Sequence, residues 1–127
     1  MRHLNKAPAI AALFGALALT AAPAAAQTVA EVTVTAAKGH AVQALSYKVG
    51  YADLNLRDIA GRKTFHQRIA ITARYLCRKL GEVNVVSYNA CRDRAVADAV
   101  PAARAATRNA AHQGAWTPGP AWTAPGA

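Results

Sequence analysis

The two cysteines, Cys77 and Cys91, are the feature that most constrains how this chain can fold, because the 127 residues contain no others. They can form one disulfide, half of a metal site, or a thiol active site. A zinc site needs further ligands at short spacing, but His40, His66 and His112 are widely separated. Redox cysteines normally stand two residues apart. The choice among these roles then depends on the compartment.

The first 26 residues have the three-part layout of a secretory signal peptide. Basic residues precede an apolar run from position 9 to 23, and a small-residue triplet follows. That run is shorter than the roughly 20 residues that a spanning helix needs, and no later run is long enough. We therefore predict a cleaved signal peptide and a protein exported to the periplasm or secreted further. The predicted cleavage site comprises Ala24, Ala26 and Gln27.

The chain from residue 27 onward is small, basic and poor in large apolar side chains. Without Arg2 and Lys6, 13 of the 15 Lys and Arg residues remain against 6 Asp and Glu, a net charge of +7. Small domains bury proportionally little surface, so a covalent link stabilises them strongly. In an oxidising compartment a single pair of cysteines normally bridges. The sequence therefore favours a structural Cys77–Cys91 disulfide over metal binding or reactive thiols.

Period-two alternation predicts two extended segments. In the first, residues 27–40, Val32 and Val34 alternate with polar residues, as in a short strand or an extended arm. In the second, residues 45, 47, 49 and 51 are all apolar or aromatic and share one face. This pattern is typical of a half-buried strand.

Two helices are predicted after the second strand. The first has an apolar stripe at spacings of three and four residues, with Asp58 as its N-cap and Gly81 after its last turn. Residues 82–86 are a connector or a brief strand. Ser87 or Asn89 would cap the second helix, and Pro101 would end or kink it near residues 99–100. The stripe comprises Phe65, Ile69, Ala73, Leu76 and Leu80.

We predict an α+β fold with one or two short strands and two helices joined by the disulfide. Residues 27–41 would form an extended N-terminal segment, and residues 42–112 the folded domain. Residues 113–127 contain the near-repeat AWTPGP and AWTAPG and are rich in Pro and Gly. This composition predicts a disordered tail.

The spacing of polar residues does not predict a catalytic, cofactor or metal site, so we expect a non-enzymatic protein. His66 has no evident partner for acid–base chemistry, and Asp93 and Asp98 are placed to pair with neighbouring arginines. Net positive charge is the remaining functional signal, because a basic surface attracts anions. The alternative is a solvated face without a ligand. The candidate anion-binding residues are Lys63, Arg74, Arg78, Arg92 and Arg94.

Two classes of partner are consistent with these features. The first is an anionic envelope component such as a lipid or lipopolysaccharide. The second is an envelope protein bound through a strand edge or through the tail that contains Trp116 and Trp122. Nucleic acid is disfavoured, because no aromatic residues alternate with the basic ones to stack on bases.

The order of these segments resembles the UrcA family of small exported bacterial proteins across residues 40–100. The matching segments are VGYADLNL (49–56), LCRKLG (76–81), YNAC (88–91) and AVADAV (95–100). The resemblance implies a compact envelope protein whose cysteine pair corresponds to Cys77 and Cys91, but no biochemical activity. Two features depart from the family pattern: Asp58 stands where members usually have a Ser or Thr cap followed by proline, and Pro101 opens an Ala/Arg-rich segment.

Overall fold

A computed structural model describes residues 30–39 and 43–127. Within them, a two-stranded sheet packs against two helices, which confirms the predicted α+β class. The proposed signal peptide and its cleavage residues Ala24, Ala26 and Gln27 lie outside the described residues. In chain order the elements are β1 (Glu31–Lys38), β2 (Gln43–Gly50), α1 (Ile59–Lys79) and α2 (Val85–His112).

β1 and β2 form an antiparallel ladder in which Val32 faces Val49 and Val34 faces Tyr47. Val32, Val34 and Ala36 are buried, while the residues between them are exposed, as period-two alternation predicts. The first predicted segment is therefore a strand that contributes to the core. The predicted domain boundary at residue 42 therefore separates two strands that pair in one sheet.

α1 buries the predicted apolar stripe, including Phe65, Ile69 and Leu76, against the sheet and α2. Gly81 follows the helix with a φ of 76°, the left-handed conformation expected after a C-terminal turn. At the other end, Asp58 occupies the N-cap position, but its side chain makes no capping hydrogen bond. Its carboxylate instead accepts a hydrogen bond from Asn55 Nδ2 at 3.2 Å, so the predicted capping role was wrong.

Gly61, in the first turn of α1, allows the preceding loop to cross close to the helix. A Cβ at this position would lie 2.0 Å from the carbonyl oxygen of Asn55.

We expect Gly61→Ala to lower the free energy of unfolding by about 1 to 3 kcal/mol, because the loop must move to relieve this overlap. Helix propensity alone would predict a gain of about 1 kcal/mol. Urea denaturation measures the difference. Gly114→Ala is the matched control, because a Cβ there would meet nothing within 4 Å. A stabilised Gly61→Ala variant would contradict the close approach.

Asn84, rather than Ser87 or Asn89, caps α2. Its Oδ1 accepts a hydrogen bond from Val86 N at 2.8 Å, which satisfies one of the free backbone donors of the first turn. The helix therefore begins at Val85, so residues 85–86 are helical and residues 82–84 form the turn without a strand.

α2 continues through Pro101 to His112, so of the two predicted alternatives, an end or a kink near residues 99–100, the structure excludes the end. Pro101 cannot donate the backbone hydrogen bond to Ala97 that a helix interior normally has. Packing offsets this loss, since α2 lies against both α1 and β1. The buried stripe continues on both sides of the proline and comprises Cys91, Ala95, Ala99, Ala103 and Ala106.

The predicted disulfide is confirmed. It joins Cys77, in the last turns of α1, to Cys91, in the second turn of α2, with the two Cα atoms 6.0 Å apart. Both cysteines are buried, and the bond closes the end of the helical pair next to the turn.

Residues 113–127 are ordered against the sheet and α1, so the predicted disorder is not what the structure shows. Gly119 N donates to the carbonyl of Ala52 at 2.9 Å, and Trp122 Nε1 donates to the carbonyl of Lys48 at 3.0 Å. Tyr47 Oη donates to the carbonyl of Thr123 at 3.0 Å. These bonds and the packing of the Trp122 ring offset the conformational entropy that this Pro/Gly-rich segment loses when it becomes ordered.

Neither α1 nor α2 is apolar enough over its length to cross a bilayer.

Candidate functional site

The outer face of α1 carries three of the five candidate anion-binding residues. Lys63, Arg74 and Arg78 are separated by eleven and then four positions, close to whole turns of an α-helix, so they share one side. All three are exposed, and in the described part of the chain none has a carboxylate within salt-bridge distance. Ile71, with 44% of its surface exposed, lies on the same side. We call these four residues the α1 basic face.

Arg92 and Arg94 differ from these three because each lies beside an aspartate. Arg92 donates from Nε and Nη2 to Asp93 Oδ1 at 2.9 and 2.8 Å. Arg94 Nε lies 4.0 Å from Asp98 Oδ2, one helical turn away. These pairs are the ion pairs expected between residues 92 and 98, and they reduce the positive charge that the start of α2 offers to a ligand.

The outer side of α2 carries a second exposed pair, Arg104 and Arg108, four positions apart. Neither has an acidic partner among residues 30–39 and 43–127. This pair matches Arg74 and Arg78 in residue type, spacing and exposure. It therefore provides an internal reference for the effect of charge alone.

An ion pair that the sequence did not reveal lies between α1 and the loop after β2. Arg68 Nη1 and Nη2 donate to the two carboxylate oxygens of Asp53 at 2.7 and 2.6 Å, and Nη1 also donates to the carbonyl of Gly50 at 2.8 Å. The two side chains are only 14% and 22% exposed. The hydrogen bonds from Arg68 lower the pKa of the Asp53 carboxyl, and the nearby positive charge adds to this effect.

Trp122 packs directly over this ion pair. Its ring lies 5.2 Å from the Arg68 guanidinium and meets the Tyr47 ring edge-on, with 6.5 Å between ring centroids. The cation–π contact and the indole hydrogen bond to Lys48 fix the ring in one orientation. Arg68 therefore links the loop, the helix and the C-terminal segment.

Arg57 ties the start of α1 to the end of α2. Its Nε donates to the carbonyl of Ala110 at 2.9 Å, and its Nη2 donates to the carbonyls of Gln113 and of Gly114, the latter at 2.8 Å. A positive charge at the C-terminus of a helix also complements the helix dipole. Because its donors are used in this way, we assign Arg57 a structural role.

A cleft of about 560 Å³ lies between the loop after β2 and the C-terminal segment. Tyr51 lines it, and partial burial raises the pKa of this phenol. The Tyr51 ring packs on the ring of Phe65, with centroids 4.9 Å apart. The wall is otherwise formed by Leu54, Leu56, Arg57 and Trp116 together with small side chains and amides, and these supply hydrogen-bonding groups but no paired acid and base.

The remaining candidate for chemistry, His66, is exposed on α1 with its ring 6.3 Å from that of Phe65. Cys77 and Cys91 are bonded to each other and offer no free thiol. Trp116 is 40% exposed, whereas Trp122 is partly buried against the sheet.

Comparison with known proteins gives no relative. No family model, no curated protein and no solved structure matches this chain.

Proposed function

We propose that this chain is an exported, non-enzymatic protein of the periplasm that binds an anionic envelope component through the α1 basic face. The observation that carries the proposal is the shared exposure of Lys63, Arg74 and Arg78 without an acidic partner in the part of the chain that the structure describes. Phosphate groups of a lipid headgroup or of lipopolysaccharide supply the complementary charge.

Two features support export and the envelope. The Cys77–Cys91 disulfide is the kind of bond that persists in an oxidising compartment. The predicted signal peptide over residues 1–26 would direct the chain to the export machinery.

Ile71, exposed beside the basic residues, gives the α1 basic face an apolar contact for a lipid surface.

We also propose that the chain belongs to the UrcA family. The support is the order of the matching segments in the sequence. Asp53 lies in the matched YADLNL segment and forms the ion pair with Arg68, which gives that segment a structural role.

A charge-matched pair of variants tests the anion-binding proposal. Each basic residue near an anionic surface contributes about 1 kcal/mol, so we expect Arg74→Gln/Arg78→Gln to weaken binding to phosphatidylglycerol vesicles by about 30-fold at low salt. Arg104→Gln/Arg108→Gln removes the same charge from α2, and we expect a change smaller than threefold. Co-sedimentation with the vesicles measures both, and phosphatidylcholine vesicles provide the uncharged surface.

Two outcomes would contradict this proposal. Equal losses in the two double variants would mean that net charge alone drives binding. Absence of binding to both anionic vesicles and lipopolysaccharide at low salt would rule out an anionic envelope component as the ligand. Binding to only one of these two surfaces would identify the source of the phosphate groups.

A second candidate function is docking onto an envelope protein, which the exposure of Trp116 favours. The edge of β2 is less available for such docking than the sequence suggests, because the C-terminal segment bonds to Lys48 there and to Ala52 in the loop that follows. Salt separates the two candidates. Binding through the α1 basic face falls steeply as salt rises, whereas docking through an indole ring does not.

A further inference from the structure

The C-terminal segment contains two copies of one short motif, in different environments. Residues 115–120 read AWTPGP and residues 121–126 read AWTAPG, and they hold both tryptophans of the chain. Trp122, in the second copy, is docked against β2 and α1. Trp116, in the first copy, is 40% exposed and lines the cleft beside Arg57.

The contacts that hold Trp122 come from the part that both copies share. Its indole N–H donates to the carbonyl of Lys48, and the carbonyl of the next residue, Thr123, accepts from Tyr47 Oη. Its ring packs between Tyr47 and Arg68. Trp116 and Thr117 offer the same indole, the same N–H and the same carbonyl in the same order. We call the surface formed by Tyr47, Lys48, Gly50 and Arg68 the tryptophan site.

Gly50 lies against the ring in the tryptophan site. A Cβ on Gly50 would already be in contact with the Trp122 side chain, 3.4 Å from its Cδ1.

The copies diverge after the threonine, and this explains which copy occupies the site within one chain. Gly126 has a φ of 78° and lies against Tyr75, where a Cβ would be 2.9 Å from Cε2. The first copy has Pro120 at the corresponding position, and proline cannot adopt a positive φ. The second copy therefore has a further contact that the first lacks.

We propose that the tryptophan site is a docking site for an Ala-Trp-Thr segment, and that residues 115–117 of a second copy of this chain occupy it when Trp122 leaves. The same chain cannot readily supply its own first copy, because Arg57 holds the carbonyls of Gln113 and Gly114. Two residues span at most about 7 Å, so this anchor keeps Trp116 beside Arg57. In a second copy of the chain, the Arg57 anchor does not limit how closely residues 115–117 can approach the tryptophan site of the first copy.

The full-length Trp122→Ala variant tests this inference, because it empties the site and leaves Trp116 as the only tryptophan. We expect this variant to associate as its concentration rises from micromolar to millimolar, as measured by sedimentation. We also expect the emission of Trp116 to shift to shorter wavelength over the same range. The wild-type protein should remain monomeric there, because its tethered second copy has an effective concentration on the order of millimolar.

Two further variants make the result specific. Trp116→Ala/Trp122→Ala should not associate. Tyr47→Phe in the Trp122→Ala background should weaken association by about fivefold, the effect of one neutral hydrogen bond. A Trp122→Ala variant that stays monomeric with unchanged Trp116 emission overturns the proposal. So does association that persists without Trp116.

If circular dichroism shows that Trp122→Ala does not fold, the wild-type protein provides the test. The peptide Ala-Trp-Thr-Pro-Gly-Pro, added above the effective concentration of the tail, should shift the NMR resonances of Tyr47 and Lys48. The peptide Ala-Ala-Thr-Pro-Gly-Pro should not. Identical spectra with the two peptides overturn the proposal.

Discussion

Replacing both cysteines, in the Cys77→Ala/Cys91→Ala variant, is expected to lower the free energy of unfolding by about 3 kcal/mol. In the chain-entropy model, this is the contribution of a link that closes a loop of about 15 residues. For a domain of this size the total is about 5 to 15 kcal/mol, so the loss is a large share. Urea denaturation of the oxidised protein and of the variant measures the difference.

The position of the disulfide explains why we expect its full contribution to the free energy of unfolding to be lost. Three valines of the turn between the helices are not packed, since Val83 is 95% exposed and both Val85 and Val86 are largely exposed. Leu76 and Leu80 are buried beside the turn, and the disulfide adds a covalent constraint to this packing. Adding reductant should destabilise the wild-type protein but not the variant. An unchanged urea midpoint in the variant would contradict the prediction.

The second large effect is expected for Arg68→Met, which should lower the free energy of unfolding by about 2 to 3 kcal/mol. The variant leaves the Asp53 carboxylate and the Gly50 carbonyl without their donor in a site that is mostly shielded from water. It also removes the cation beneath Trp122. Arg74→Met is the matched control on the same helix, because Arg74 is exposed and has no acidic partner in the described residues; we expect a change within about 0.5 kcal/mol.

The same ion pair predicts how stability depends on pH. Because Arg68 lowers the pKa of Asp53 in the folded state, the unfolded chain binds more protons at this carboxyl below about pH 4. The stabilisation is therefore complete above about pH 4 and is lost as the pH falls through the folded pKa. Urea midpoints from pH 2 to 6 should fall more steeply in the wild-type protein than in Arg68→Met. Parallel pH profiles would show that the pair does not cause the dependence.

The sequence predicted those parts of the fold that depend on periodicity within one segment. The alternation of Val32 and Val34 and the helical spacing of Phe65 and Ile69 each place one face of an element in the core, and the structure confirms both faces. The disulfide was predictable because there are only two cysteines to pair.

Contacts between distant segments were not predictable from these patterns. Asp53 and Arg68 are 15 positions apart and lie in different elements, so no local spacing relates them. Trp122 bonds to Lys48 across 74 positions. The composition of residues 113–127 indicates disorder, but composition cannot predict that one indole ring fits a site on the sheet. One available signal was the near-repeat itself, because a Trp that recurs in a Pro/Gly-rich segment favours a binding role.

Whether α2 ends at Pro101 or continues beyond it was not predictable from the sequence for a related reason. Pro101 removes one hydrogen bond from the helix, and that local cost is visible in the sequence. The compensating contacts of Ala103 and Ala106 are not visible in the sequence. Alanine carries little hydrophobic signal, and these two residues are buried by contacts with distant parts of the chain. The stripe of small residues allows α2 to lie close to its neighbours over its whole length.

The helical pair is closed at its two ends by bonds of different chemistry. At one end the closure is covalent, between Cys77 and Cys91. At the other it is the set of hydrogen bonds from Arg57 to carbonyls at the end of α2, and arginine keeps its charge at any pH the cell experiences. A reducing agent therefore removes only the link beside the turn and leaves the hydrogen bonds of Arg57 in place. Unfolding after reduction should begin beside the cysteines, while the end that anchors the C-terminal segment opens last.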